Sequence, residues 1–508
     1  MTDSESMTGR DTMLVRGGNV LVGTDEVPRR CDVLITGDVI TDVGPEIVPP
    51  DGATIIEAAG CIVLPGLVNA HTHSQNNILR GAGDTWTLED QLNHGQAVYA
   101  SRDAEDQYVS AALNAIEMIR TGCTAAYDLF IAFPYPSIEE VGAVVRAYQE
   151  VGLRATVAPT ISDVSFYQTV PGLGDLLPPN LKARVSRSGK VSTSALLELG
   201  RESIKAWHGA SDGRILMGVA PTIPNLCSDD LLTGCAEIAE SLDVTLHTHL
   251  SETKPQCIFS EDNWGGTIVE RLADLHVLGP GFVGAHSVWL TDADLTKLAD
   301  AGAKVAHLPA SNLKLGSGIA PIRSMLDAGI AVGLGTDGSM SSDNQSMYEA
   351  MRCAANVSKI LYPYDAARWL GSRPAWAMAT AGSAATLGLQ DQIGQIAPGR
   401  KADIALFRED SLFLKPMSDL LNSLVYVEPG TAASTVIIDG RVVLDEDRIV
   451  GVDEASLRER AQEILDRARS SRQSEWELAE AMAPYIESAC RAVMTRPFPV
   501  YRFVGAPA

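Results

Sequence analysis

The chain contains no run of eighteen apolar residues, so it offers no candidate transmembrane helix. It also has no CxxC pair. Its eight cysteines, at 31, 61, 123, 227, 235, 257, 353 and 490, are scattered through 508 residues. That spacing excludes a thiolate metal site and a disulfide framework, and reads as reduced, buried thiols. Positive charge is short: 64 acidic against 40 basic residues leave a formal charge of −24. Such an excess argues against nucleic acid or an anionic membrane as partner. The opening "MTDSESMTGRD" lacks the basic-then-apolar order of a signal peptide, and the expected location is cytoplasmic. No glycine-rich phosphate loop follows any apolar segment, and no internal repeat is evident. Histidine is scarce as well, with nine in all, so the places where they fall carry information.

Short apolar runs dominate what is present. Residues 12–60 hold several, "TMLVRGGNVLV", "CDVLITGDVITDVG" and "ATIIEAAG", punctuated by Gly17-Gly18, Gly37-Asp38 and Pro49-Pro50. Similar strands return late, in "KADIALFRED" and "ASTVIIDGRVVLDEDRIV". Each set is too small for its own core, so the two are expected to join in one flanking β-sandwich. Between them lie eight runs bounded by Gly, Asp or Pro, from "CIVLPGLVNA" to "GIAVGLGTD", most of them separated by helical patterns. One pattern has Val109, Leu113, Ile116 and Ile119 on a single face, with Asp103 to cap it and Gly122 to end it. Another opens on a Ser137–Glu140 capping box. Strands alternating with helices imply a parallel sheet covered by helices, and eight such units suggest a closed (β/α)8 TIM barrel.

The expected fold class is therefore α/β, a (β/α)8 barrel with a small β-sandwich built from both chain ends. Expected boundaries are 1–60 and 398–450 for the two parts of the sandwich, 61–397 for the barrel, and 451–508 for a helical extension. That extension would pack on the barrel or on another subunit. Residues 161–195 read as an irregular loop overhanging the mouth of the active site.

Against this frame the scarce residues fall into a pattern. His71 and His73 follow the first barrel strand, His247 and His249 lie in the fifth, and His286, His307 and Asp337 end the sixth, seventh and eighth. Side chains at the C-terminal ends of barrel strands converge on one mouth, and residues two apart in a strand share a side. Three imidazoles and one carboxylate suit a borderline divalent metal with an open position for water. His71, His73, His249 and Asp337 are the expected ligands. His247, deeper in its strand, would support the site from behind. Glu252, three residues beyond a ligand, is placed to shuttle protons between water and a leaving nitrogen. His94, His208 and His276 have no comparable context.

The stretches "PGLVNAHTHSQNNILRG" (65–81), "THLSET" (248–253), "GAHSVWLTDADL" (284–295), "AHLPASNLKLGSGIAPIRSMLDAG" (306–329) and "LGTDGSMSSDN" (334–344) resemble the amidohydrolase superfamily. They are most similar to its cytosine deaminase-like branch, which includes guanine deaminase, methylthioadenosine/S-adenosylhomocysteine deaminase and triazine hydrolases. "LVRGGNVLV" and "IGQIAPGRKADIAL" match the flanking β-domain of that family. The resemblance implies one Zn²⁺, or in some members Fe²⁺, on His71, His73, His249 and Asp337, with Glu252 as proton shuttle. It assigns His286 to polarise the group under attack or steady the attacking hydroxide. Binuclear relatives carry a lysine in the fourth strand; "MGVAPTIP" has none, which favours a single metal. Members of the adenosine type usually read Ala-Pro-His there, whereas this chain has Ala220-Pro221-Thr222.

The expected reaction is hydrolytic deamination of an aminated N-heterocycle of purine, pterin, pyrimidine or triazine type. Hydroxide held by the metal attacks an sp² carbon, Asp337 takes the water proton, Glu252 protonates the ring nitrogen, and ammonia leaves. The same apparatus would serve a triazine, urea or carbamate hydrolase that expels chloride or an amine, and a non-catalytic barrel scaffold is the reading from another class. Gln75, Asn76, Trp86, Thr222 and Trp289 are the expected substrate contacts, and Asn312 is expected to shape its loop. The expected partner is a small heterocyclic substrate, and family similarity favours a homo-oligomer, a dimer or tetramer.

Overall fold

The computed structural model describes residues 12–99, 102–185, 192–470 and 473–504. The polar opening segment lies outside the described residues, as does 186–191 within the 161–195 stretch.

Eight parallel strand positions form the central barrel: Leu67–His73, Cys123–Phe130, Arg154–Ile161, Ile215–Met217 with Ala220–Pro221, Leu246–Leu250, Phe282–His286, Lys304–His307, and Ala331–Leu334 with Asp337–Gly338. Neighbours pair in sequence order; the fourth meets the fifth through a Val219–Leu246 bridge, and the eighth returns to the first. The closing register sets Asp337 opposite Thr72, between His71 and His73. Every residue of the first three strands is buried, because helices cover the outside and side chains fill the inside.

The helices form where sequence spacing places them. Ala104–Arg120 opens with an Asp103–Asp106 capping box, buries Val109, Ile116 and Ile119, and is followed by Gly122 at φ +79°. Ile138–Val151 opens on the Ser137–Glu140 box, with Ser137 Oγ accepting from the Glu140 N–H at 3.2 Å. Among the described residues no helix is long and apolar enough to cross a membrane.

Strands from both chain ends make one mixed nine-stranded sheet, in which Ile404–Arg408 pairs antiparallel with Cys61–Pro65. It encloses its own core of Val15, Val33, Ile35, Ile40, Val63, Ile404, Leu406 and Ile437. The run "CIVLPGLVNA" is thus two strands in two sheets, and the flanking sheet includes Cys61–Pro65. The break falls at Gly66, where a Cβ would sit 2.1 Å from the Thr124 hydroxyl oxygen. A buried triad of charges fastens sheet to barrel. Arg154, which opens the third barrel strand, reaches Asp403 from Nε at 2.7 Å and Asp439 from Nη2 at 2.7 Å. Burial works against its charge, and the two carboxylates outweigh that and raise its pKa.

The 161–195 segment is more ordered than its turn residues suggest. It contains a turn at Phe166–Gln168 and helices Leu173–Leu176 and Pro179–Val185. Leu173, Leu177 and Leu181 recur every four residues, a helical stripe masked by the glycines and prolines around it. Beyond residue 450, helix Glu454–Ser470 buries Leu457 and Ile464 and is tied by Glu454 to Arg120 of the barrel helix. Helix Gln473–Met494 follows.

Candidate metal centre and substrate cavity

The two histidines that end the first strand point to the same side, as their parity requires. His71 Nε2 lies 3.2 Å from His73 Nε2, and His73 Nε2 lies 3.1 Å from His249 Nε2. Asp337 Oδ1 joins them, 3.2 Å from His73 Nε2 and 3.6 Å from His71 Nε2. A tetrahedral first-row cation with ligand bonds of about 2.0–2.1 Å spaces its ligands ~3.3 Å apart. The separations found here match that spacing.

Protonation argues the same way. His73 Nδ1 is 2.6 Å from the Leu129 carbonyl and His249 Nδ1 is 2.5 Å from the Thr222 carbonyl. Each Nδ1 must carry the proton it donates, so each Nε2 presents a lone pair. Two lone pairs facing each other at 3.1 Å repel unless a cation lies between them. His71 fits the same logic, with Nδ1 3.2 Å from Nε2 of the buried His247, which stands behind it. Burial holds the His71 imidazole down to about 3 and His249 well below its usual range, so both rings are neutral. Asp337 is buried among the same nitrogens, with Oδ1 facing their lone pairs. Its outer oxygen, Oδ2, accepts from Ser311 Oγ at 2.6 Å and Ser341 Oγ at 2.8 Å. The donor set therefore fits a divalent metal.

Two groups complete the centre. Burial pushes the Glu252 carboxyl well above the usual range, with the charges of Asp337 and Glu89 adding to it. Glu252 Oε2 lies 3.5 Å from His286 Nε2. His286 Nδ1 donates to Asn312 Oδ1 at 2.9 Å, which leaves Nε2 as the unprotonated nitrogen. His286 and Asp337 both hold left-handed backbone at φ +64°, a conformation costing roughly 1–3 kcal/mol outside glycine.

A third layer holds the eighth strand. Gln345 Oε1 accepts from Thr72 Oγ1 at 2.8 Å and Thr336 Oγ1 at 2.6 Å, while Nε2 donates to the Asp337 carbonyl at 3.0 Å. Sequence reasoning missed Gln345, Ser311 and Ser341, and gave Asn312 only a loop role. The adjacency of Ser311-Asn312 to the end of the seventh strand was the one available signal.

The centre opens into a cavity of about 750 Å³. His73, His249, Glu252, His286 and Asp337 line it together with Asn76 and Thr222, two of the expected contacts. The other three do not line it. Gln75 is spent on packing, its side-chain oxygen accepting from the Ile131 N–H at 3.3 Å. Trp86 stacks on His94 with ring centroids 4.3 Å apart. Trp289 is buried against Phe498 and Phe503, with Nε1 donating to the Ser317 carbonyl at 2.8 Å. A ring near a strand end serves whichever neighbour tertiary packing brings, and for both tryptophans that neighbour includes the C-terminal region. Thr222 contributes its backbone as well, since its carbonyl orients His249.

Residues 62–443 match the model of the amidohydrolase family. A 5′-deoxyadenosine deaminase of Methanothermobacter thermautotrophicus is 34% identical over 435 residues, covering 85% of this chain and 94% of that protein. A 5-methylthioadenosine/S-adenosylhomocysteine deaminase of Symbiobacterium thermophilum is 35% identical over 445 residues, covering 86% and 94%. Among solved structures, an adenosine deaminase from Xanthomonas campestris with bound zinc superposes with a TM-score of 0.79 at 26% identity, covering 90% of this chain and 98% of that one. An atrazine chlorohydrolase from Arthrobacter aurescens complexed with zinc gives 0.78 at 27% identity, covering 89% and 99%.

Proposed function

Since the chain belongs to the amidohydrolase family and is a metal-dependent hydrolytic deaminase of an N-heterocycle, we propose that its substrate is an adenine-type nucleoside. The convergence of the imidazole lone pairs of His71, His73 and His249 with Asp337 is the observation that carries the chemistry. The names of the deaminase relatives support the purine. A cavity of about 750 Å³ has room for a sugar beside the base, within the roughly 300–1,000 Å³ of sites for ligands of drug size.

His71, His73, His249 and Asp337 would hold the metal, zinc by preference, and when bound it supplies the Lewis acidity that makes water nucleophilic near neutral pH. Glu252 enters the cycle protonated, because its burial disfavours the charged form. It delivers that proton to the ring nitrogen beside the carbon under attack and is reprotonated by the new hydroxyl as the carbonyl forms, while the proton that Asp337 takes from water goes to the departing amine. His286, unprotonated at Nε2, accepts a hydrogen bond from the attacking side and steadies the oxygen as the carbon becomes tetrahedral. Asp337 Oδ1 can take the water proton while Ser311 and Ser341 hold Oδ2 in place. Water plus the amino-heterocycle thus gives the oxo-heterocycle and ammonia.

The deciding experiment measures ammonia release from adenosine, 5′-deoxyadenosine, aminated pyrimidines, pterins and triazines, with chloride and alkylamine release followed in parallel. Ammonia from adenine nucleosides is expected. Glu252→Gln should retain stoichiometric metal while kcat falls by about 10²–10⁴; unaltered turnover in that variant would refute the shuttle. Thr222, standing where adenosine-type members carry histidine, and the likeness to an atrazine chlorohydrolase favour a second reading, hydrolysis of a triazine. Release of chloride or alkylamine without ammonia would establish it.

A further inference from the structure

One wall of the cavity depends on a part of the chain that lies beyond residue 443, where the family match ends. Phe166, Tyr167, Gln168 and Val185 line the cavity and belong to the segment that follows the third barrel strand. Among the described residues of this segment none pairs in a strand. Its apolar side chains, Val170, Leu173, Leu177, Leu181 and Val185, form a cluster separate from the main core. The other half of that cluster is Leu478, Met482, Ile486 and Ala489 of helix Gln473–Met494. Met482 is fully buried there.

A polar chain ties the same elements. The Tyr167 hydroxyl donates to Asn93 Oδ1 at 3.1 Å, and Asn93 Nδ2 donates to the Ala479 carbonyl at 2.8 Å. Asn93 is buried on helix Leu88–Tyr99, which itself contributes Leu88, Gln91, Leu92 and Tyr99 to the cavity. An amide offers an acceptor and a donor in one plane, and here each meets a different element. Burial pushes the Tyr167 phenol up to about 12, so it stays a donor at neutral pH.

We infer that the C-terminal helix determines substrate selectivity, by fixing Tyr167 and the Phe166–Gln168 wall through Asn93 and the leucine-methionine cluster. Tyr167 and Asn93 are positioning residues that leave the chemistry to the metal centre. Phe166, Leu92 and Val185 give this wall apolar surface beside the Tyr167 phenol and the amides of Gln91 and Gln168, which suits it to the sugar end of a nucleoside. This rests on the reading that an adenine-type amine is hydrolysed at the metal centre.

The test uses the full-length, metal-loaded enzyme with Tyr167→Phe, Asn93→Ala and Met482→Ala. Kinetics are measured on adenosine, 5′-deoxyadenosine, a series with lengthening 5′ alkylthio groups, and free adenine. Each variant is expected to raise KM for the short nucleosides ~10-fold with little change in kcat, from loss of a buried hydrogen bond or of packing. Preference within the series should move toward longer 5′ groups, and Met482→Ala should leave adenine turnover within about two-fold of wild type, as KM and kcat shift apart only when binding is altered. A uniform fall in kcat/KM across all substrates, or no change in folded variants, would overturn the inference. Should Asn93→Ala fail to fold, Tyr167→Phe removes only a hydroxyl and still decides. If wild type releases ammonia from no adenine nucleoside, the functional reading fails and takes this one with it. Normal wild-type turnover with uniformly affected variants removes this inference alone.

Discussion

His286 depends on Asn312 for its tautomer, and that dependence can be measured. The ring and the amide are both buried, and Nδ1 sits 2.9 Å from Asn312 Oδ1. Asn312→Ala removes the acceptor and strands a buried N–H. The proton then has no reason to stay on Nδ1, and the tautomer with Nε2–H turns an acceptor into a donor toward Glu252, 3.5 Å away. Leaving a buried donor without a partner costs about 1–3 kcal/mol. Expressed in the barrier, that is roughly a 5- to 150-fold loss in kcat/KM. Ammonia release on the metal-loaded variant measures it, with metal content and circular dichroism as controls. Asn312→Asp tests the cause. A carboxylate still accepts from Nδ1–H, so the tautomer survives, but its charge favours the imidazolium. In the native protein burial holds His286 below its usual range, and the working form is neutral. Raising its pKa therefore makes activity disappear at a higher pH as the solution is acidified, so the acid limb should move up by about one unit. Wild-type rates in Asn312→Ala, or an acid limb that moves down in Asn312→Asp, would refute the assignment.

Arg154→Met should destabilise the protein by about 3–5 kcal/mol, because it leaves Asp403 and Asp439 buried without their guanidinium. Urea midpoints measure the loss, and adding Asp403→Asn with Asp439→Asn should restore most of it; a triple variant no more stable than the single one would contradict the ion-pair account. Gln345→Leu keeps the volume but drops the bonds to Thr72, Thr336 and the Asp337 carbonyl. Metal affinity should fall ~10- to 100-fold in competition with a chelator, and unchanged retention would show that this network does not hold the eighth strand for metal binding.

What could be read along the chain is what local geometry controls. Capping at Asp103 and Ser137 depends on residues three apart, and the shared side of His71 and His73 follows from a period of two. The placing of His249, Glu252, His286 and Asp337 at strand ends needed only the strand boundaries, since a barrel brings those ends together. The helices at 173–176 and 179–185 were harder, because their leucine stripe is interrupted by turn residues and completed by a helix some three hundred residues later.

The amino-acid sequence alone determined the barrel, the flanking sheet and the residues that converge at its mouth, because repeated short-range periodicity specifies all three. Only the tertiary structure decided which side chains aim those residues and which enclose the cavity. Gln345 meets Thr72 across 273 residues of sequence, Tyr167 meets Asn93 across 74, and both tryptophans turn away to other partners. A hydrogen bond needs its two atoms placed within a few tenths of an ångström. That placement is set by how distant segments pack, and no pattern within either segment contains it.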